Sequence, residues 1–365
     1  MNDRIAGALL LSMYGDAAGT PQEIAGLRGE IGDPTRDPLP IVDGFREGNP
    51  SPWNIWAPGD VTTGMRGVVS DDTATKIVMT EGWISAMPPA ALPNDDRGFF
   101  AWLTQRPTES APWRESTAQI QADLWAGMDR TRQTGECPPD DGQPCFYVQG
   151  TAVAFGIFLY QSLGLIWSED AYTLAPGFCS LDQGEAGHAF GLLAGLTGLG
   201  TRSEGLITEA LQSGIDRWID TAGPDAPVLA KRVRWLVDEW IPTQSGLDEA
   251  AFLANLHTDL YDHPDHRASH DLRPFDPGMQ AAQAVALLLY GQGDPARTMR
   301  VAANTSGDTD TVAMIVGLIL GGFLGYDALM QSPLAEGLRT VEDSTEQLFE
   351  RTLAQRSKVY SRFTG

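Results

Sequence analysis

The chain has 365 residues, a formal net charge of −23 and 42% hydrophobic residues. An acidic surface repels phosphate backbones, which argues against nucleic-acid binding as the main function. The longest apolar run, Val312 to Gly325, is shorter than the roughly 20 residues that a membrane-spanning helix requires. These properties indicate a globular protein whose partners are neither nucleic acids nor membranes.

The beginning of the chain, Met1 to Arg4, leads into a short apolar stretch without the layout of a signal peptide. The whole chain has three cysteines, Cys137, Cys145 and Cys179. This odd number and the lack of C-x-x-C spacing suit a reducing compartment. We therefore expect a cytoplasmic protein. The length allows two domains. We favour a single domain over residues 1–365, because two acidic motifs that look like halves of one site, described below, lie near opposite ends of the sequence.

Helical periodicity recurs along the whole chain, beginning with apolar residues at Ala6, Leu9, Leu10 and Met13. Strand-like alternation is scarce, so the sequence predicts an all-α fold. Further helices are predicted around residues 77–84, 116–130, 151–163, 185–196, 204–219, 228–240, 279–290, 294–303, 311–324 and 342–361. Long Pro/Gly-rich segments at about 26–69, 133–149 and 258–278 are predicted to be loop insertions that shape a pocket.

Two short acidic motifs each run directly into an apolar helical stretch. The first is Ser70–Thr73 (Ser-Asp-Asp-Thr) and the second is Gly307–Thr311 (Gly-Asp-Thr-Asp-Thr). Crowded carboxylates repel one another unless a cation compensates their charge, and oxygen ligands suit Mg²⁺ or Mn²⁺. The same residue types also cap helix N-termini, although one Asp per helix is enough for capping. From the residues alone, metal binding and capping both remain open.

A third motif, Gly15–Glu23 (Gly-Asp-Ala-Ala-Gly-Thr-Pro-Gln-Glu), follows the first predicted helix. Its small residues are predicted to end that helix and to deliver Asp16 and Glu23 to a loop, where glycine permits close backbone approach. By itself Gly-Asp-Ala is also a common helix C-terminus. This motif therefore indicates a site only in combination with the other two.

Together the three motifs resemble the ADP-ribosylglycohydrolase family, which includes dinitrogenase-reductase-activating glycohydrolase and the ADP-ribosyl-acceptor hydrolases. The family patterns Gly-Asp-Ala-x-Gly-x-Pro-x-Glu, Thr/Ser-Asp-Asp-Thr and Gly-Asp-x-Asp-Thr stand here at Gly15–Glu23, Ser70–Thr73 and Gly307–Thr311, in the same order. The resemblance spans nearly the whole chain. It implies one multi-helix domain with a cleft that binds two divalent cations, Mg²⁺ or Mn²⁺.

The resemblance also implies roles for individual residues. Glu23 would act as general acid or base or would orient the ribose, while Asp16 would fix its loop without touching the ions. The residues before the second acidic pair, Ser306 and Gly307, are candidates for substrate contacts. The implied metal ligands are Ser70, Asp71, Asp72, Asp308, Asp310 and Thr311.

Two segments depart from the family pattern. Where the family reads Gly-Asn-Gly-x-x-Met-Arg, the best match is Cys145–Thr151, which lacks the Arg, and the family's Thr-His-Gly is replaced by Asp182-Gln183-Gly184. These segments line the cleft around ADP-ribose in the family, so their change suggests an atypical substrate or acceptor. Candidates for replacement contacts are Gln149, Gly150 and Gln183.

The function that these motifs favour is metal-dependent cleavage of the bond between ADP-ribose, or a related nucleotide-ribose, and an acceptor such as protein arginine. The substrate would then be an ADP-ribosylated protein or a small ADP-ribose-like molecule. Two alternatives remain open: hydrolysis of a free small N- or O-glycoside, and a non-catalytic nucleotide-binding or immunity-type role. The cluster His263, His266 and His270 is interpreted as a solvent loop, with a zinc site as the alternative.

Overall fold

The computed structural model describes residues 2–27, 44–45, 64–70, 72–73, 185–200, 206–262 and 277–363. These ranges are helical apart from turns and connections and contain no β-strand, which confirms the predicted all-α fold for them. None of their helices is both long and apolar enough to span a membrane. Numbered within these ranges, the α-helices of four or more residues are α1 (Asn2–Leu27), α2 (Glu185–Gly200), α3 (Ile207–Thr221), α4 (Pro227–Trp235), α5 (Glu249–Asp262), α6 (Pro277–Gly291), α7 (Pro295–Ala302), α8 (Thr309–Leu324), α9 (Tyr326–Leu329) and α10 (Ala335–Phe363).

Helix α8 lies in the centre of this helical assembly. Every residue from Thr309 to Phe323 is buried, as expected for a helix that is apolar on all sides. Helices α1, α2, α6, α7 and α9 all contact it. Because α8 begins at Thr309, its N-terminal end brings the second acidic motif into the interior of the protein.

Glycines bring the backbones of α1 and α8 into direct contact. A Cβ atom on Gly19 would lie 2.7 Å from the Cα atom of Asp310, and one on Gly7 would lie 2.7 Å from the carbonyl oxygen of Gly321. Gly15 packs in the same way against the backbone of Ala313. The two helices are therefore antiparallel, and the C-terminal half of α1 lies against the first turn of α8.

This packing predicts opposite effects for two adjacent glycines of α8. A Cβ atom on Gly321 would collide with the backbone of Gly7, whereas one on Gly322 would meet its nearest neighbour, the carbonyl oxygen of Thr197, at 3.6 Å. We expect Gly321→Ala to lower the free energy of unfolding by about 1–3 kcal/mol. Gly322→Ala should raise it by about 0.5–1 kcal/mol, because alanine is the better helix former. Urea unfolding of both variants measures this difference, and equal effects would contradict the close packing.

The prediction that the Gly15–Glu23 motif ends the first helix is wrong. Helix α1 continues through Pro21 to Leu27, so Asp16 lies in a helix rather than in a loop. The glycines do not terminate α1, because they serve its contact with α8 instead. Residues 26 and 27, predicted as the start of a loop, are consequently helical.

The prediction of a loop at 258–278 is wrong at both ends, where residues 258–262 and 277–278 are helical. Helix α5, which the sequence reasoning did not predict, covers Glu249–Asp262, and α6 begins at Pro277. The helices predicted at 185–196, 204–219, 228–240, 279–290, 294–303, 311–324 and 342–361 correspond to α2, α3, α4, α6, α7, α8 and α10. Helix α4 is followed directly by a π-helical turn, Leu236–Trp240. The helices predicted around 77–84, 116–130 and 151–163, the segment 133–149 and the three histidines of the predicted solvent loop lie outside the described residues.

Candidate metal centre

The two acidic motifs meet in the interior of the protein. Asp72, Asp308 and Asp310 each offer a carboxylate oxygen, and these three oxygens lie within 4.8 Å of one another. All three side chains are buried, at 6%, 5% and 3% exposure. The hydroxyl of Thr311 donates a hydrogen bond of 3.0 Å to Oδ2 of Asp72. This bond joins motifs that are 239 residues apart in the sequence.

Helix capping does not account for this arrangement. Asp308 occupies the N-cap position of α8, but its side chain makes no capping hydrogen bond. In the first motif, Oγ of Ser70 accepts a hydrogen bond of 3.1 Å from the backbone N–H of Asp72, as a capping side chain does. Capping therefore does not explain the buried carboxylate of Asp308, whose place in the cluster needs another reason.

The donor set of the cluster fits a hard divalent cation. Buried carboxylates at this spacing repel one another strongly unless a positive charge compensates them, and oxygen ligands suit Mg²⁺ or Mn²⁺. Two buried side-chain atoms of residues beside the cluster, Thr73 Oγ1 and Gln280 Oε1, have no hydrogen-bond partner among the described residues. Buried polar atoms are rarely left unpaired unless water or a ligand satisfies them.

Asp16 of α1 fixes the backbone of the first motif at Ser70 and Thr73. Its Oδ1 accepts a hydrogen bond of 2.9 Å from the backbone N–H of Ser70, and its Oδ2 accepts one of 3.0 Å from that of Thr73. The Asp16 side chain is fully buried. Because Gly19 places α1 against the first turn of α8, Asp16 sets the position of Ser70 and Thr73 relative to the second motif.

Replacing Asp16 by asparagine tests this support. Asparagine keeps the size but turns one acceptor into an N–H₂ group that faces a backbone donor, so the free energy of unfolding should fall by about 1–3 kcal/mol. Asp3→Asn is the matched control, because Asp3 lies on the same helix and accepts an exposed hydrogen bond of 2.8 Å from the N–H of Asp327. Its effect should stay within about 0.5 kcal/mol. Urea unfolding in EDTA measures both, and equal losses would contradict the supporting role of Asp16.

Side chains from three helices also position the loop that precedes α8. Nδ1 of His257 lies 2.6 Å from Oγ of Ser306, and Gln283 donates to the carbonyl oxygen of Ser306 at 3.1 Å. Gln22 of α1 donates to Oδ1 of Asn304 at 2.6 Å. Gly307 has a φ of +92°, which disfavours a side chain at this position. The loop is thus fixed on both sides immediately before Asp308.

Sequence reasoning missed the residues that make these loop contacts, together with Gln280. Gln280 and Gln283 lie in the otherwise apolar helix α6, at 1% and 0% exposure. A glutamine in an apolar run is an informative signal, because buried polar side chains need partners. His257 lies in α5, which was not predicted, and so carried no comparable signal.

The structure brings together part of the set expected from the sequence. Asp72, Asp308 and Asp310 form the cluster, and Thr311 donates a hydrogen bond to it. Ser70 lies two residues before Asp72 and is held by Asp16, while Ser306 and Gly307 lie in the loop before Asp308. Glu23 lies in α1, directly after Gln22, whose side chain is the last described in that helix. The remaining candidates, Asp71, Gln149, Gly150 and Gln183, lie outside the described residues.

These features define an all-α protein with a buried acidic centre that could bind a divalent cation. The chain belongs to the ADP-ribosylglycohydrolase family, whose sequence model matches residues 1–362. The resemblance expected from the three motifs is confirmed over essentially the whole chain. No curated protein matches the sequence. Membership makes the protein a hydrolase of the ADP-ribosylglycohydrolase type, a family that acts on ADP-ribosylated substrates in general.

Proposed function

We propose that the protein is a divalent-cation-dependent hydrolase that cleaves the glycosidic bond between ADP-ribose, or a related nucleotide-ribose, and an acceptor such as protein arginine. The observation that carries this proposal is the convergence of Asp72, Asp308 and Asp310 in one buried cluster. The spacing of the cysteines supports a cytoplasmic location for this reaction.

The centre that we propose contains two Mg²⁺ or Mn²⁺ ions. Ser70, Asp71 and Asp72 would hold one ion, and the second motif would hold the other or bridge the pair through Asp308, Asp310 and Thr311. When bound, such cations fix substrate oxygens and offset the charge that develops as the bond to C1″ of the ribose breaks. Three buried carboxylates supply the negative charge that this site requires.

The remaining chemistry is assigned to residues of the chain. Hydrolysis breaks the bond from C1″ to the acceptor and forms a bond from C1″ to a water oxygen, so one proton must leave that water and one must reach the acceptor. Glu23 would move such a proton, as general acid or base, or would orient the ribose. Ser306 and Gly307 would contact the substrate, because the loop that carries them ends at Asp308.

A second candidate function follows from the two segments that depart from the family pattern. Cys145–Thr151 lacks the family's Arg and Asp182-Gln183-Gly184 lacks its His. A changed cleft wall can select a different ligand without a change in the metal ligands. Gln149, Gly150 and Gln183 would then contact either a small N- or O-glycoside or a nucleotide that is bound without cleavage.

A substrate panel separates these functions. The wild-type protein with Mn²⁺ is incubated with ADP-ribosyl-arginine protein and, separately, with free nucleosides, and released ADP-ribose or base is measured by chromatography. Multiple turnover on the modified protein supports the first candidate. Turnover on free glycosides alone supports the hydrolysis of small N- or O-glycosides and contradicts the first candidate. Binding of ADP-ribose, measured by calorimetry, with no turnover on either substrate supports the non-catalytic role and contradicts the hydrolase.

A further inference from the structure

Gln280 is buried beside the acidic cluster. Its side chain is 1% exposed, and its Nε2 donates a hydrogen bond of 2.6 Å to Oδ2 of Asp308. It lies near the N-terminal end of α6, in a run where every described side chain from Gly278 to Gly291 is buried. Because the buried amide of Gln280 is hydrogen-bonded to Asp308, it can influence the binding of a ligand by that carboxylate.

The contact fixes the orientation of the Gln280 amide. An ionised carboxylate can only accept hydrogen bonds, so the N–H₂ group and not the carbonyl oxygen faces Asp308. Oε1 therefore has a defined direction, and it is buried without a hydrogen-bond partner among the described residues. Oε1 belongs to the same amide group as Nε2, so it lies near the Asp308 carboxylate to which Nε2 donates.

A comparison with Gln283 shows what is particular to Gln280. Gln283 lies one turn further along α6 and donates to the backbone carbonyl of Ser306 at 3.1 Å. That bond positions the loop but involves no carboxylate. Gln280 instead contributes a neutral donor to one of three clustered carboxylates. It thereby lowers their mutual repulsion without competing for a cation, because an N–H₂ group cannot bind a metal ion.

We propose that Gln280 is a positioning residue of the metal centre. Its Nε2 holds Asp308 through Oδ2, which would leave Oδ1 to bind a cation, and its Oε1 would accept a hydrogen bond from an O–H group in the site. That O–H group belongs either to a water molecule or to a hydroxyl of the sugar substrate. The inference rests on the metal-binding part of the proposed function and adds a residue that the family motifs do not contain.

The first half of the proposal is that Nε2 of Gln280 donates to Asp308 and orients it, and we call this the donor half. It is tested by the affinity of the protein for Mn²⁺. Gln280→Met keeps the length and apolar volume but removes both polar atoms, and we expect the Kd for Mn²⁺ to rise about 10–100-fold. The matched control is Gln244→Met, which also removes a buried amide, but one whose hydrogen bonds join Thr243 and Asn255 rather than the cluster, and it should leave the Kd near the wild-type value. Isothermal titration calorimetry on all three proteins, with circular dichroism to confirm folding, gives the comparison. Equal Kd values for wild type and Gln280→Met would overturn the donor half.

The second half of the proposal is that Oε1 of Gln280 accepts a hydrogen bond from an O–H group, and we call this the acceptor half. It is tested on the wild-type protein, so the test does not depend on the folding of a variant. Crystals soaked with Mn²⁺ alone should show an ordered oxygen within about 3.2 Å of Gln280 Oε1. Soaking with Mn²⁺ and ADP-ribose should show whether a sugar hydroxyl replaces that water. Density without an oxygen at this position in both soaks would overturn the acceptor half. If the wild type binds no Mn²⁺, the metal proposal itself fails, and that result is distinct from the failure of Gln280 alone.

Discussion

Asp310→Asn should abolish metal-dependent hydrolysis, with a loss in kcat/KM of about 10³-fold or more. The side chain of Asp310 is 3% exposed and lies with Asp72 and Asp308 in the cluster. Asparagine keeps the shape of the side chain but removes one of the negative charges that a divalent cation requires. Initial rates of ADP-ribose release at saturating Mn²⁺ measure the loss, and calorimetry on the same samples measures the accompanying loss of Mn²⁺ affinity.

The control for this variant is Asp343→Asn. Asp343 lies on α10 and is exposed, so the substitution changes the net charge of the protein equally without touching the cluster. It should retain wild-type turnover and Mn²⁺ affinity. If Asp310→Asn is as active as Asp343→Asn, the cluster is not the catalytic centre.

Glu23→Gln should also remove turnover, by roughly 10²–10⁴-fold, but should leave Mn²⁺ affinity and the unfolding temperature unchanged. The reason is that glutamine retains the size of the side chain but cannot transfer a proton. Glu23 follows Gln22, whose amide binds Asn304 in the loop before α8, so the backbone of α1 at this point is tied to the site. The measurement combines initial rates with calorimetric titration of Mn²⁺.

The two readouts separate the roles of Glu23. Loss of turnover with intact Mn²⁺ binding supports proton transfer or ribose orientation. A parallel loss of Mn²⁺ affinity would instead identify Glu23 as a metal ligand, and full activity would remove it from the mechanism. Glu336→Gln on the exposed face of α10 provides a control for the loss of one carboxylate.

The fold could be predicted from the sequence wherever apolar periodicity was strong, as in α6 and α8. It could not be predicted where a residue's role depends on a distant partner. Gly15 and Gly19 have the composition of a helix end, yet they lie in the middle of α1 because α8, far away in the sequence, packs against them. Helix α5 was missed because the Pro/Asp-rich residues that follow it obscured the spacing of Phe252, Leu256 and Leu260.

The candidate site, like the fold, could be predicted from the sequence only in part. The acidic motifs could be found from the sequence, because several carboxylates within a few residues exceed what a helix cap needs. His257 could not, because it is a single polar residue in a helix that was not predicted, and its contact with Ser306 is a tertiary one. Gln280 stood out as a polar residue in an apolar run, but its partner Asp308 could be identified only from the structure. The position of Asp16 in its motif was evident from the sequence, but its hydrogen bonds to the backbone N–H groups of Ser70 and Thr73 could be identified only from the structure.

The most direct test of the central claim is the release of free ADP-ribose from ADP-ribosyl-arginine protein by the wild-type chain, measured with Mn²⁺, with EDTA, and after Mn²⁺ is restored. The account predicts release with Mn²⁺, none with EDTA, and recovery when the metal returns. Release that persists in EDTA would contradict the metal centre. No release by a sample with confirmed Mn²⁺ occupancy would contradict the assignment of ADP-ribosyl-arginine as the substrate.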